Sequence, residues 1–168
     1  KNLVKSASIL VTQENLKNGK AQAIVANSGN ANACTSNGVK VAEDVCKLCA
    51  STFGIDYSDV IVASTGVIGV PMRLEPFEQK LYMMKKEMSK EGGTDCAEAI
   101  MTTDTVKKEM AMELTLDGKT VTIGGIAKGS GMIHINMGTM LSFVTTDAAI
   151  SSEMLESALK EAVEDSFN

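Results

Sequence analysis

Tryptophan is absent from this chain, histidine occurs once, proline twice, and the aromatic residues amount to four Phe and two Tyr. Platforms for stacking bases are therefore scarce, and a formal net charge of -5 supplies no basic stripe to track a phosphate backbone, which argues against a nucleic-acid surface. No stretch approaches the roughly 20 consecutive apolar residues that cross a bilayer, and Lys1 to Val11 lacks the shape of a secretory signal. One histidine beside four cysteines leaves too few paired ligands for a zinc site, so no metal is expected. The expectation is a cytosolic protein, or one from a compartment of similar redox poise. A small anionic or zwitterionic ligand remains open to it, since a local lysine can serve one.

What is present is apolar mass in a mixed pattern. With 44% hydrophobic residues over 168 positions, the chain is long enough for one domain with a packed core. Leu3 to Val11 and Ala21 to Ala26 read as strands around a turn at Asn18-Gly19, and Asn27 to Cys34 as an ordered loop of small polar residues. Val39 to Phe53 has helical spacing, with Asn37 near its start and Gly54 as its stop. Cys46 and Cys49 fall inside that helix and not at its start, where a thiol would be activated. With Cys34 and Cys96 they read as small core residues.

Val60 to Ala63 reads as a buried strand that ends in Ser64-Thr65-Gly66. A helix lies within Leu74 to Lys90, with Met83, Met84 and Met88 taken as packing, and a third helix spans roughly Asp95 to Met101 with Thr94 as its cap. Glu109 to Leu116 and Thr120 to Ile126 alternate around Asp117-Gly118, a hairpin signal. Met140 to Thr146 forms a further strand, and a closing helix starts at Ser152. The fold class is α/β (α+β).

The densest chemical signal is Gly124-Gly125-Ile126-Ala127-Lys128-Gly129-Ser130-Gly131, which leads to Gly138-Thr139. Lys128-Gly129-Ser130 is not in the order a Walker loop needs, which leaves a nucleotide loop or a structural glycine turn as readings by shape. Lys128 reads as a point charge for a carboxylate. The Gly138-Thr139 bond is a candidate for self-cleavage, in which the Thr hydroxyl attacks the preceding carbonyl and water releases a new N-terminal Thr. The plain alternative is that Thr139 is a β-branched residue opening a strand. His134 has no specified acidic partner. Thr102-Thr103-Asp104-Thr105 reads as capping or ligand contact, and Ser64-Thr65-Gly66 as an oxyanion site or a turn.

Four runs in one order, Ala26 to Thr35, Ala63 to Gly69, Ala99 to Thr105 and Gly125 to Leu141, resemble one family. It is the ArgJ family of bifunctional ornithine acetyltransferase/glutamate N-acetyltransferases of arginine biosynthesis. The resemblance covers nearly the whole chain. It implies self-cleavage between Gly138 and Thr139, with Thr139 as nucleophile and Thr65 and Gly66 as the oxyanion hole. It also implies that Thr102, Lys128 and Thr139 bind substrate.

The acetyl group would pass from N-acetylornithine, or from acetyl-CoA in bifunctional members, to glutamate, with no bound cofactor. A layered sandwich of mixed sheets flanked by helices, DmpA/ArgJ-like, is implied as the fold. Residues 1–168 would then be a single partial domain, with 1–138 ending an α chain and 139–168 beginning a β chain. The partners implied are the remainder of the β chain and a heterotetramer of two α and two β chains. Ile135 stands where the family usually has Pro, and relatives continue past Asn168 into a large second half. Two rival readings are an N-terminal-nucleophile aminopeptidase or amidohydrolase of the same fold, and a non-catalytic small-molecule binding module.

Overall fold

A computed structural model describes residues 3–129 and 140–167. The described chain falls into two compact units, Leu3–Gly92 and the chain from Gly93 onward.

In the first unit, helix α1 (Ala7–Asn15) precedes strand β1 (Ala23–Asn30), helix α2 (Gly38–Phe53), strand β2 (Val60–Val67) and helix α3 (Glu75–Glu87). The two strands are parallel and in register from Ala23 opposite Val60 to Asn30 opposite Val67. Parallel neighbours need a long crossover, and α2 supplies it. Its buried residues Ala42, Val45, Cys46, Cys49 and Ala50 follow helical spacing and pack with Val25, Val60 and Val62 to form the core. Gly54 ends the helix in the left-handed conformation (φ 72°), its N–H donating to Ala50 O at 2.8 Å.

The helix α1 overturns the expected strand over Leu3 to Val11. Its buried residues are Ala7, Ser8, Val11 and Asn15, so half of the inward face is polar and hydrophobic patterning does not reveal it. That face is stitched to β2. Ser8 Oγ donates to Ser64 Oγ (2.9 Å), Thr12 Oγ1 donates to Val62 O (2.7 Å) and accepts from Val62 N (3.0 Å), and Asn15 Nδ2 donates to Val60 O (2.7 Å). Helical positions four and three apart thus meet strand positions two apart, and side chains satisfy a strand edge that would otherwise lie bare.

Two other expectations change here. The Asn27 to Cys34 loop is strand as far as Asn30, and Met83, Met84 and Met88 are exposed. Of the cysteines, Cys46 and Cys49 are buried in the core while Cys34 and Cys96 are exposed, so the core reading holds for half of them. Burial pushes the Cys46 thiol up to about 12, leaving it inert.

The second unit holds helix α4 (Gly93–Ala99), strands β3 (Lys108–Leu116), β4 (Lys119–Lys128) and β5 (Leu141–Thr146), and helix α5 (Ser152–Glu164). The sheet is antiparallel, in the order β3-β4-β5. Asp117 and Gly118, at φ 51° and 75°, make the expected hairpin turn, since a two-residue loop of matching twist needs positive φ at both positions. Thr94 does not cap α4. Its hydroxyl hydrogen-bonds the Glu109 carboxylate (2.9 Å), tying the helix to β3. The mixture of a parallel pair, an antiparallel sheet and flanking helices is the α/β class expected.

Candidate active site

Thr65 and Gly66 lie within β2, so the reading of Ser64-Thr65-Gly66 as a turn gives way to extended backbone. Thr65 is 3% exposed, and its hydroxyl finds no hydrogen-bond partner among the described residues. A buried hydroxyl left unpaired costs about 1–3 kcal/mol, which asks for an explanation. Gly66 sits opposite Gly29 in the register, and both adopt positive φ, 135° and 116°. A Cβ on Gly66 would overlap the backbone of Gly29 and come within 2.6 Å of Asn30 N. Only glycine fits there, and the paired glycines let two backbones pass closely just after Thr65.

Thr102 and Lys128 come together in the second unit. Lys128 ends β4 and is 5% exposed, with its ammonium donating to Thr102 Oγ1 at 3.0 Å. No carboxylate among the described residues lies within 4.0 Å of that ammonium. A buried cation whose one polar contact among the described residues is a neutral hydroxyl is incompletely compensated by them, and a ligand carboxylate would complete it. The glycine pair Gly124-Gly125 lies inside β4, opposite Thr145 and Val144 of β5, so this part of the glycine-rich run is strand and neither a phosphate loop nor a turn. Gly129, at φ 150°, begins the departure from the strand.

Asp104 lies in the run Thr102-Thr103-Asp104-Thr105 and makes the strongest contacts there. Its side chain is 1% exposed and accepts from Lys108 Nζ (2.6 Å), Gly129 N (2.9 Å) and Thr102 N (3.4 Å). The Lys108 hydrogen bond, followed by the backbone donors of Gly129 and Thr102, holds its carboxyl at about 2 against burial acting the other way. Asp104 therefore pins the Thr102 segment to the end of β4 and sets the hydroxyl of Thr102 against Lys128. An acid among three threonines was the visible signal. Its partners, Lys108 and Gly129, are four and twenty-five residues away and reveal themselves only on folding.

Gly138 and Thr139, the expected cleavage junction, lie outside the described residues, as do His134 and Ile135. Among the described residues, no group of three or more His, Cys, Asp or Glu could hold a metal ion. No described helix is long and apolar enough to cross a membrane.

A parallel strand-helix-strand unit with a buried threonine before a glycine, and an antiparallel sheet with a buried lysine at a strand end, define a mixed α/β protein with two strand-built polar sites. The chain belongs to the ArgJ family, whose model matches residues 1–168. The arginine biosynthesis bifunctional protein ArgJ of Symbiobacterium thermophilum is 52% identical over 168 residues, covering 99% of this chain and 42% of the relative. Among solved structures, the bifunctional protein of Bacillus halodurans superposes with a TM-score of 0.71 at 41% identity, covering 83% of this chain and 73% of that one. The ornithine acetyltransferase of Mycobacterium tuberculosis, solved with ornithine, gives a TM-score of 0.69 at 30% identity, covering 84% and 74%. The chain thus spans about two fifths of the length of the curated relative, 42%.

Proposed function

We propose that this chain is part of an N-terminal-nucleophile acetyltransferase of arginine biosynthesis, which moves an acetyl group from N-acetylornithine, or from acetyl-CoA, to glutamate without a bound cofactor. The observation that carries this reading is the buried Lys128 ammonium, held by Thr102 and lacking a carboxylate among the described residues. It forms a fixed cationic end for an amino-acid carboxylate, which donor and acceptor share. The solved relative with bound ornithine supports ligands of that class.

Self-cleavage between Gly138 and Thr139 would free an α-amine that titrates near ~7.7, so part of it is neutral at physiological pH. That amine takes the proton from the Thr139 hydroxyl as the oxygen attacks the acetyl carbonyl. The tetrahedral intermediate collapses, ornithine leaves with the proton on its amine, and the acetyl group stays on Thr139 as an ester. The glutamate amine then attacks the ester, and the Thr139 oxygen regains a proton as acetylglutamate departs. Thr65 and Gly66 serve the oxyanion in both steps, where a single donor is worth roughly 3 kcal/mol. The proposal extends to a cytoplasmic setting, to the remainder of the β chain as partner, and to a heterotetramer of two α and two β chains.

The test uses a protein carrying this chain at the full length of its relatives. Intact mass is expected to show a break before Thr139, and acetyl transfer to glutamate should follow ping-pong kinetics. Thr139→Ala should abolish both. Release of free acetate with no acetylglutamate would instead identify a hydrolase, and an uncleaved, fully active chain would overturn the mechanism.

A further inference from the structure

Three successive register pairs of the parallel strands β1 and β2 differ in how their polar groups are used. Asn27 and Ser64 are opposite one another, and both are engaged: the Asn27 amide donates to Asn30 O (2.8 Å), and Ser64 Oγ accepts from Ser8 Oγ (2.9 Å). Next come Ser28 and Thr65, also opposite one another. Both hydroxyl oxygens are buried and neither has a hydrogen-bond partner among the described residues. Gly29 and Gly66 follow, with the positive φ and close backbone approach described above.

Side chains alternate faces along a strand, and register partners on parallel strands share a face. Asn27 and Ser64 therefore point to the side carrying the helices, while Ser28 and Thr65 point together to the other. Unpaired buried hydroxyls are rare, and two on adjacent strands, aimed to the same side beside a glycine pair, are a built arrangement of donors that the unit itself does not consume.

We propose that Ser28 is a second hydroxyl donor of the oxyanion site formed by Thr65 and Gly66. Its Oγ–H, like that of Thr65, has no acceptor within its own unit among the described residues. It donates to the acyl oxygen as negative charge develops there, and the interaction strengthens as the carbonyl becomes an oxyanion. The inference rests on the acyl-transfer reading of Thr65.

Ser28→Ala and Thr65→Ala would be compared with the parent at the full length of the relatives, measuring acetyl transfer from N-acetylornithine to glutamate and thermal unfolding. Ser28→Ala is expected to lower kcat tenfold or more with KM within about twofold. Its Tm should be unchanged or raised, because it removes a buried hydroxyl that has no structural partner. A kcat within twofold of the parent overturns the proposal, and so does a lowered Tm accompanying the loss of activity, which would mark Ser28 as structural. If Thr65→Ala slows the reaction while Ser28→Ala does not, the inference about Ser28 alone fails. If Thr65→Ala leaves kcat unchanged, the oxyanion reading fails with it.

Discussion

Lys128 and Asp104 share one small neighbourhood and have opposite fates. Asp104 accepts from an ammonium and two backbone N–H groups, while Lys128 holds only the Thr102 hydroxyl among the described residues. Lys128→Met should therefore raise KM for amino-acid substrates about 10- to 100-fold, the range of a lost charge-assisted hydrogen bond. A substrate analogue lacking the α-carboxylate should show no such difference between variant and parent, and an equal loss with the analogue would refute the carboxylate role.

Asp104 makes a prediction in pH. Its folded carboxyl titrates at about 2, below the ordinary 3.8, so its stabilisation is complete above the ordinary value and is lost as pH falls from there toward about 2. Lys108 is 44% exposed on its side chain, so water screens the pair and the contribution is about 1–2 kcal/mol. Asp104→Asn should lower stability at neutral pH and remove that part of the acid limb in unfolding measured against pH. Parallel pH curves for the two proteins would count against it.

At the scale of elements, α1 shows how a helix can be placed by hydrogen bonds more than by apolar area. Thr12 alone satisfies both the N–H and the C=O of Val62. Thr12→Val keeps the shape and leaves both backbone groups without that partner, so a loss of about 2–3 kcal/mol is expected in denaturant unfolding, against less than about 1 kcal/mol if packing alone held the helix. The hairpin at Asp117-Gly118 was plain in the sequence because two positive-φ positions demand particular residues. The helix α1 was not, because Ser8, Thr12 and Asn15 find their reason in Ser64, Val62 and Val60, about fifty residues further on. The Gly124-Gly125 pair misled in the opposite way. Glycine density suggests a loop, yet cross-strand pairing on both sides keeps it in β4.

At the scale of the molecule, much apolar surface is left in the open. Met110 is 75% exposed and Met112 and Leu116 more than half exposed on β3, as are Met154 and Leu159 on α5. Apolar side chains exposed in this number on one strand and one helix mark surfaces prone to bind or to be covered. The chain expressed by itself should bind a hydrophobic dye and self-associate without a defined size on size exclusion, whereas a protein at the full length of its relatives should leave the dye dark and elute as one defined assembly. A dye-silent monomer of the isolated chain would contradict this.

Local rules were enough for much of the molecule: the hairpin, the amphipathic α2 with its glycine stop, the closing helix and the α/β class, while the family came from the resemblance of four motifs in one order. Small polar residues at a strand end marked Thr65 and Gly66, a hydroxyl cluster at a helix end marked Thr102, and a lone cation in a glycine-rich run marked Lys128. Only tertiary structure decided that Lys128 is buried without a carboxylate partner among the described residues, that Asp104 fixes Thr102 beside it, and that Ser28 is the register partner of Thr65. Each of those facts joins residues from separate elements, and burial and pairing across such distances belong to the folded chain, where desolvation makes an unpaired charge or hydroxyl costly enough to call for a ligand.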